Sequence, residues 1–324
     1  MPKTPFPAGG PEPVNMPLDP TTYKILEKFE EGLNPAEFTS QKDAEIIGYG
    51  EVSSIFSLKK IPGYAFKRLP LFSNQQEAEK YVKTYEDYCN LLSDAGLNIP
   101  ESHTHIVVKK DLPTVLYICQ KKLTATMFAH KLIHSLSQDQ IYILLQRVVQ
   151  ETEKVWAHAK LKSPQMQIAL DAQLSNWVLA GDVKTGTLLF IDTSTPLYRL
   201  NGAEQLNPEM FLKSAMPGLR WAIRQFFLND IINRYYDFRS VMTDLTANLY
   251  KEKRPDLISK MIQLINESQW IGLNPLTAKE VESYYKEDKR IWQIVQNSRI
   301  IHRWITTKIF RNRYEFTLPD EIER

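Results

Sequence analysis

The chain of 324 residues is long enough for two domains, or for one two-lobed domain with a cleft. With 43% hydrophobic, 11% aromatic and 24% charged residues, it has the composition of a folded protein and not of a disordered one. Its formal net charge of +2 gives no global signal for nucleic acid, and its two cysteines are too few for a disulfide framework. No apolar run is long enough for a transmembrane helix, and residues 1–20, a proline-rich flexible arm, contain no signal-peptide core. We therefore expect a cytoplasmic protein that binds no nucleic acid.

Residues 21–122 are predicted to form a small antiparallel sheet that carries one long helix. After an amphipathic helix at 21–33, apolar runs between turn residues predict two strands within 44–58 and further strands at 61–72, 103–110 and 114–123. The long helix lies between the third and fourth of these strands. Ser73 or Asn74 is its predicted N-cap, and Gly96 is predicted to end it.

Residues 123–324 are predicted to be mainly helical. Residues 139–161 show strong helical periodicity, and 208–239 and 255–268 also read as helices. The apolar runs at 176–181 and 187–192 interrupt this pattern and predict two short strands joined by a turn. A β-rich N-terminal lobe followed by a helical C-terminal lobe is the simplest arrangement, and it belongs to the α+β class.

The segment 289–314 is basic and contains interleaved aromatic residues. That combination is compatible with nucleic acid or with an acidic membrane. Its helical spacing favours a packed face with a cationic outer side. The residues predicted to form that face are Trp292, Val295, Ile300, Trp304 and Ile305.

Gly48, Gly50 and Ser53 form a GxGxxS pattern between two predicted strands. A dinucleotide-binding turn would open a helix, so the pattern predicts a hairpin. Glycine lets backbone N–H groups approach a phosphate without obstruction by a side chain. An ordinary tight hairpin is the alternative interpretation.

Lys67 lies in the next predicted strand, among apolar residues. It is either a lysine that extends from a sheet edge to solvent or a fixed cation for nucleotide phosphates. The second role needs a carboxylate to hold the ammonium group. Of the acids on the following helix we prefer Glu86, because it precedes the apolar pair Leu91–Leu92.

Asp171, Asn176 and Asp192 surround the two short predicted strands of the second region. The sixteen residues from Asn176 to Asp192 are enough for one hairpin that brings these two side chains together. Amide and carboxylate oxygens are suitable ligands for Mg²⁺, and Asp171 can accept a proton from a hydroxyl nucleophile. The alternative is that both aspartates begin ordinary turns.

In their order and spacing these residues resemble those of the protein-kinase-like superfamily over roughly residues 40–240. The matching features are the glycine loop Gly48–Gly50–Ser53, the A-x-K of Ala65–Lys67, the D-x-x-x-x-N of Asp171–Asn176, and Asp192. The stretch "LLSDAGLNIPES" is similar to the helix-to-strand passage of the aminoglycoside and choline phosphotransferase branch, and no A-P-E triplet follows at the distance that a protein-kinase activation segment requires. The chain also resembles an uncharacterised family of prokaryotic kinase-like proteins, a likeness that assigns no reaction.

The resemblance implies a two-lobed kinase-like fold with ATP and Mg²⁺ in the cleft between the lobes. It implies that Asp171 is the catalytic base and that Asn176 and Asp192 hold the metal. It also implies that Lys67, supported by Glu86, binds the phosphates beneath the glycine loop.

The sequence departs from the superfamily pattern around the expected base. Ala169 stands where the superfamily usually has His, and Gln173 stands where protein kinases carry Lys and many small-molecule kinases carry His. Asp192 is followed by Thr193 and Ser194 instead of Phe-Gly or Trp. These departures bear on substrate positioning and turnover more than on nucleotide binding.

The expected function is therefore transfer of the γ-phosphoryl group of ATP to a hydroxyl of a small molecule. A protein kinase or a nucleotidyl transferase on the same scaffold is the second enzymatic interpretation. A pseudokinase, which binds nucleotide or a partner without turnover, is the alternative from another class. No pattern in the sequence indicates the acceptor or the oligomeric state.

Overall fold

The structure is a computed structural model that describes residues 18–50, 53–110, 112–213, 215–226 and 228–318. It has the predicted α+β architecture, with an antiparallel sheet in the N-terminal lobe and helices in most of the C-terminal lobe. The predicted arm lies outside the described residues except for its last three, of which Leu18 is buried and Pro20 begins the first helix. Within the described chain, no helix is both long enough and apolar enough to cross a bilayer.

The N-terminal lobe is built on a five-stranded antiparallel sheet with the order β1-β2-β3-β5-β4. Its elements are α1 (Pro20–Gly32), β1 (Ala44–Tyr49), β2 (Ser54–Leu58), β3 (Ile61–Phe72), α2 (Gln75–Asp94), β4 (Ser102–Val107) and β5 (Thr114–Lys121). The predicted cap of α2 is confirmed, because Asn74 Oδ1 accepts a hydrogen bond of 2.9 Å from Glu77 N. Gly96, with φ +88°, lies just beyond the end of α2, as predicted.

Successive residues of β3 face opposite sides of the sheet, as the pleat requires. Phe66 packs with α1 on one side, in a cluster that also contains Leu26. Leu69 packs on the other side with Tyr81 and Tyr85 of α2. The sheet is thus covered by one helix on each face, and its central strands are apolar on both faces.

The C-terminal lobe has a large helical core and two small sheets, of two and three strands. Its elements are α3 (Ala129–Leu132), α4 (Gln138–Lys162), β6 (Met166–Ile168), β7 (Trp177–Ala180), β8 (Thr187–Phe190), β9 (Tyr198–Leu200), β10 (Ala203–Glu204), α5 (Glu209–Leu212), α6 (Pro217–Phe226), α7 (Leu228–Tyr236), α8 (Phe238–Lys251), α9 (Ile258–Asn266) and α10 (Ala278–Trp304). The predicted hairpin of β7 and β8 is confirmed, with Trp177 opposite Phe190.

Two features of the C-terminal lobe differ from the sequence prediction. The region 208–239 is not one helix, because Pro217 begins α6 and the Asp237 side chain caps α8 through a 2.8 Å hydrogen bond from Ser240 N. The short strands β6, β9 and β10 were not predicted, since two or three residues give no periodic signal.

The predicted packed face of the basic segment is only partly formed. Trp292, Val295 and Ile305 are half-buried, as expected, but Ile300 and Trp304 are exposed. Helical spacing identifies residues that share a side of a helix, but it does not say whether another element covers that side. The prediction was wrong for these two residues.

The chain returns to the N-terminal lobe at its end, which the division at residue 123 does not anticipate. Tyr314, Phe316 and Leu318 pack in the same apolar cluster as Leu69 of β3 and Tyr81 of α2. We call residues 313–318 the C-terminal tail. The N-terminal lobe therefore contains residues from both ends of the described chain.

A buried cluster of charges holds this tail against the first helix. Glu30 of α1 is fully buried and accepts hydrogen bonds of 2.7 and 2.9 Å from Arg68 Nε and Nη2. Arg313 Nη2 donates to the same carboxylate at 3.0 Å, and Arg68 Nη2 also donates to Glu315 at 2.9 Å. Burial alone would raise the pKa of Glu30, but the hydrogen bonds and charge of Arg68 outweigh it, and the pKa lies below its ordinary value.

Replacement of Glu30 by glutamine should destabilise the protein by about 3 kcal/mol, since the buried Arg68 guanidinium loses a counter-charge and the half-buried Arg313 guanidinium loses its partner on α1. A lowered pKa means that the carboxylate contributes its full stability above the ordinary glutamate value of 4.5 and loses it as the pH falls through the folded-state value. The difference between Glu30→Gln and wild type should therefore be large at neutral pH and shrink in acid, as measured by urea unfolding. Glu31→Gln, at the neighbouring exposed position, is the control. Equal losses in both variants would contradict the assignment.

Candidate active site

The glycine-rich hairpin between β1 and β2 lies over Lys67. Gly50 N donates a 3.0 Å hydrogen bond to Ser53 O, which closes the turn. A Cβ atom at Gly50 would overlap Ser53 Oγ and would lie 3.7 Å from Lys67 Cε. At Gly48 a Cβ would make only an ordinary contact, 3.5 Å from Ile55 Cδ1. A side chain at Gly50 would therefore displace the Ser53 hydroxyl inside the hairpin, whereas its contact with Lys67 would be an ordinary one.

The ammonium of Lys67 joins the two lobes. Lys67 Nζ lies 2.9 Å from Asp192 Oδ1 and also donates to Ser194 Oγ, whose hydroxyl lies 3.1 Å from the same carboxylate. Burial alone would raise the pKa of Asp192, but the charge of Lys67 and the two hydrogen bonds hold it below its ordinary value. Asp192 is therefore ionised at neutral pH.

Asp171 and Asn176 lie at the same end of the β7–β8 hairpin as Asp192. Asn176 Nδ2 donates to the backbone oxygen of Asp171 at 3.0 Å, and Ile191 N donates to Asn176 O at 2.9 Å. Gln173 N donates to Asp171 Oδ1 at 3.1 Å, so the carboxylate is oriented by its own loop. Asp171 and Asn176 thus contact each other at the end of the hairpin where Asp192 follows β8.

Glu86 requires a correction. The described partners of Lys67 are Asp192 and Ser194, and Glu86 is exposed on α2. It lines a cavity between α2, α1 and β4 with Tyr23 and His103. The choice of Glu86 from its neighbouring leucines was wrong because helical position alone does not say which side of α2 faces the cleft.

The side of α2 that faces Asp192 carries tyrosines where the prediction had a carboxylate. Tyr81 OH donates to Ser194 O at 2.5 Å, and Tyr85 OH lies 3.2 Å from Thr193 Oγ1. Tyr88 OH donates to Ala169 O at 2.7 Å. The three hydroxyls thus bond to the segments beside Asp192 and before Asp171. Sequence reasoning missed them, although their i, i+4, i+7 spacing marks one face of a helix.

Gln173 connects the Asp171 loop to the helical lobe. Its Nε2 donates to Asp244 Oδ2 of α8 at 3.1 Å, and Tyr284 OH of α10 donates to the other oxygen at 3.1 Å. Burial and the neighbouring Asp288 carboxylate raise the pKa of Asp244 to about 6. Asp244 has no counterpart in the sequence prediction, because no motif marked it.

An apolar cavity lies where the two lobes join. It has a volume of about 380 Å³ and is formed by β1, by the start of β3 and by the chain that follows β5. Phe128, which pairs with Val178 of β7, closes its C-terminal side. The residues that line it are Ile47, Gly63, Lys122, Leu123, Thr124, Ala125 and Phe128. Its volume and its apolar walls suit a flat aromatic ligand.

Replacement of Tyr88 by phenylalanine should lower the free energy of unfolding by about 1–2 kcal/mol, because the buried Ala169 oxygen loses its donor. Urea unfolding of the purified variant measures this change. Tyr64→Phe on β3 is the matched control, since its hydroxyl makes no hydrogen bond to the described part of the chain. A Tyr88→Phe variant as stable as this control would show that the bond is unimportant.

No curated protein matches this sequence. Among solved structures, the GDP and kanamycin complex of APH(2")-IIia is similar at 12% identity over 76% of this chain and 97% of that one, with a TM-score of 0.35. WaaP in complex with acyl carrier protein is similar at 12% identity over 70% and 96%, with a TM-score of 0.33. Likenesses at these scores carry no argument about activity. A family model matches residues 30–303, and the chain belongs to DUF6206, a family of unknown function.

Proposed function

We propose that this protein binds ATP with Mg²⁺ between its lobes and transfers the γ-phosphoryl group to a hydroxyl of a small molecule. The observation that carries the proposal is the Lys67–Asp192 contact of 2.9 Å beneath the glycine hairpin. A fixed cation and an ionised carboxylate from opposite lobes meet where Gly50 leaves space for the backbone. Phosphate oxygens and their counter-ion need this combination of groups.

The cleft has a suitable place for each part of the nucleotide. The apolar cavity at the junction of the lobes suits the base. The hairpin at Gly50 lies next to Lys67, so it would cover phosphates bound by that lysine, and its glycines leave the backbone N–H groups unobstructed. Lys67 would neutralise phosphate charge after exchanging its contact with Asp192.

Asn176 and Asp192 have the donor chemistry for Mg²⁺. Asn176 Nδ2 is used by Asp171 O, so its Oδ1 is left as an acceptor. The described residues contain no group of three or more His, Cys, Asp and Glu that would form a metal cage. Two protein oxygens completed by phosphate oxygens and water suit Mg²⁺ better than such a cage. When bound, the metal would neutralise the charge of the phosphates.

Asp171 is the proposed proton acceptor. In the transfer, the acceptor hydroxyl oxygen forms a bond to the γ-phosphorus while the bond from that phosphorus to the bridging oxygen breaks, and the hydroxyl proton passes to the Asp171 carboxylate. The hydrogen bond from Gln173 N orients the carboxylate for this role.

A small acceptor is favoured over a protein substrate. Only five residues separate Asp192 from β9. Leu197, just before that strand, and Tyr198, its first residue, are both buried. This leaves no long segment after Asp192 on which a peptide chain would lie, as protein kinases require.

A nucleotide-binding module without turnover is the second candidate. The observation that favours it is the face of α2, which offers the hydroxyl of Tyr81 next to Ser194 and no carboxylate for Lys67. Lys67 is then held by Asp192 alone among the described acids. An active kinase keeps a separate carboxylate for its lysine.

Thermal unfolding with ATP and Mg²⁺ tests nucleotide binding. Wild type should be stabilised by roughly 2.7 kcal/mol at a hundredfold excess of ligand over Kd, and the effect should require Mg²⁺. Asp192→Ala should lose the dependence on Mg²⁺. Glu86→Gln, at an exposed position outside the proposed site, should respond like wild type. If ATP does not change the thermal stability of the wild-type protein, with or without Mg²⁺, the proposal is contradicted.

Asp171→Ala separates the two candidates. It should bind ATP nearly as wild type does and lower the rate of phosphoryl transfer or of ATP hydrolysis by roughly 10³-fold, the usual loss when a general base is removed. Release of ADP in a screen of hydroxyl acceptors is the measurement. If wild type binds ATP but its ADP release equals that of Asp171→Ala for every acceptor, the non-catalytic candidate is correct.

A further inference from the structure

The C-terminal half of α10 and the π-helical turn after it, Ile305–Ile309, present apolar side chains to solvent. Trp304 is 57% exposed, Ile309 58% and Phe310 64%. Ile301 and Ile294, about one and three turns earlier on the same side as Trp304, are about half exposed. We call the exposed side of residues 290–311 the α10 face. Exposed aliphatic and aromatic groups in such numbers mark a binding surface.

The charge of this segment has one sign. Between Lys289 and Tyr314 the chain has seven lysines and arginines and no aspartate or glutamate. Arg299 is buried and Arg313 contacts Glu30, so these two are used within the fold.

The remaining cations lie with the apolar groups. Arg290, Lys308 and Arg311 are exposed, and in the described chain no carboxylate forms an ion pair with any of them. Lys308 lies one turn beyond Trp304, and Arg311 directly follows Phe310. The α10 face therefore combines exposed cations with exposed apolar side chains.

We propose that the α10 face binds the surface of an anionic lipid bilayer, with α10 parallel to the membrane. The apolar side chains would enter the boundary between headgroups and acyl chains, where tryptophan is favoured, and the cations would contact lipid phosphates and carboxylates. No part of the chain needs to cross the bilayer for this mode of binding.

Charge and chemistry favour lipid over the other occupants. A second copy of the same face would bring cations against cations, because the segment has no acid to pair with them. Nucleic acid would use the cations but not Ile294, Ile301 or Ile309, since aliphatic side chains neither stack on bases nor contact phosphate. This inference does not depend on the proposed phosphotransferase activity.

Co-sedimentation of the full chain with vesicles tests the proposal. The protein should bind phosphatidylcholine vesicles that contain phosphatidylserine and should not bind pure phosphatidylcholine. Lys308→Gln with Arg311→Gln should weaken binding about 25-fold, from roughly fivefold per basic residue. Trp304→Ser with Phe310→Ser should weaken it at least about tenfold. Lys184→Gln and Leu161→Ser, which change exposed residues on other elements, should bind like wild type.

Fluorescence gives a readout that does not depend on the folding of the polar variants. Brominated lipid in the anionic vesicles should quench wild-type emission, and Trp304→Phe should bind equally well but show much less quenching. Failure to bind anionic vesicles, equal binding to neutral ones, or unchanged quenching in Trp304→Phe would each overturn the proposal. So would tighter binding to single-stranded DNA than to the vesicles, or a dimer in solution that Trp304→Ser dissociates while vesicle binding is absent.

Discussion

The alternation of side chains along β3 is the constraint on which the arrangement of this protein depends. Neighbouring residues of a strand must point to opposite faces. Lys67 therefore faces α2 and the cleft, where it contacts Asp192, and Arg68 faces α1, where it contacts Glu30. The single strand β3 thereby links the candidate site on one face of the sheet to the charged cluster on the face covered by α1. A shift of its register by one residue would exchange the two cations and bury the wrong one.

The C-terminal tail extends this link to α2. Its aromatic residues Tyr314 and Phe316 pack in the cluster that contains Tyr81 and Tyr85, whose hydroxyls bond to the segment after Asp192. The neighbouring charged residues of the tail, Glu315 and Arg313, bond to Arg68 and Glu30 respectively, on the other side of β3. The position of the candidate site thus depends on contacts between segments that are far apart in sequence, and these contacts are mostly buried.

The hairpin of β7 and β8 was predictable because its signal is local. Apolar runs flank a turn. Asn176 directly precedes β7 and Asp192 follows β8, so both lie at the end of the hairpin opposite the turn. The partner of Lys67 was not predictable in this way. Many acids follow Lys67 on α2, and a choice among them needs the rotation of that helix about its axis, which is set by packing against β3 and the tail. For the same reason the sequence could not show that Trp304 is exposed: its position on α10 does not say whether another element covers that side of the helix.

The sequence by itself determined the order of the elements in the N-terminal lobe, the cap of α2, the β7–β8 hairpin and the glycine pattern between β1 and β2, because each depends on neighbours within about twenty residues. Only the tertiary structure decided that Lys67 contacts Asp192, that Gln173 bonds to Asp244, and that the tail returns to the first lobe. The first two contacts join residues that are 125 and 71 positions apart, and the tail residue Glu315 is 247 positions from Arg68. Local propensity carries no information about such distances; burial of apolar surface and pairing of buried charge select them once the whole chain is packed.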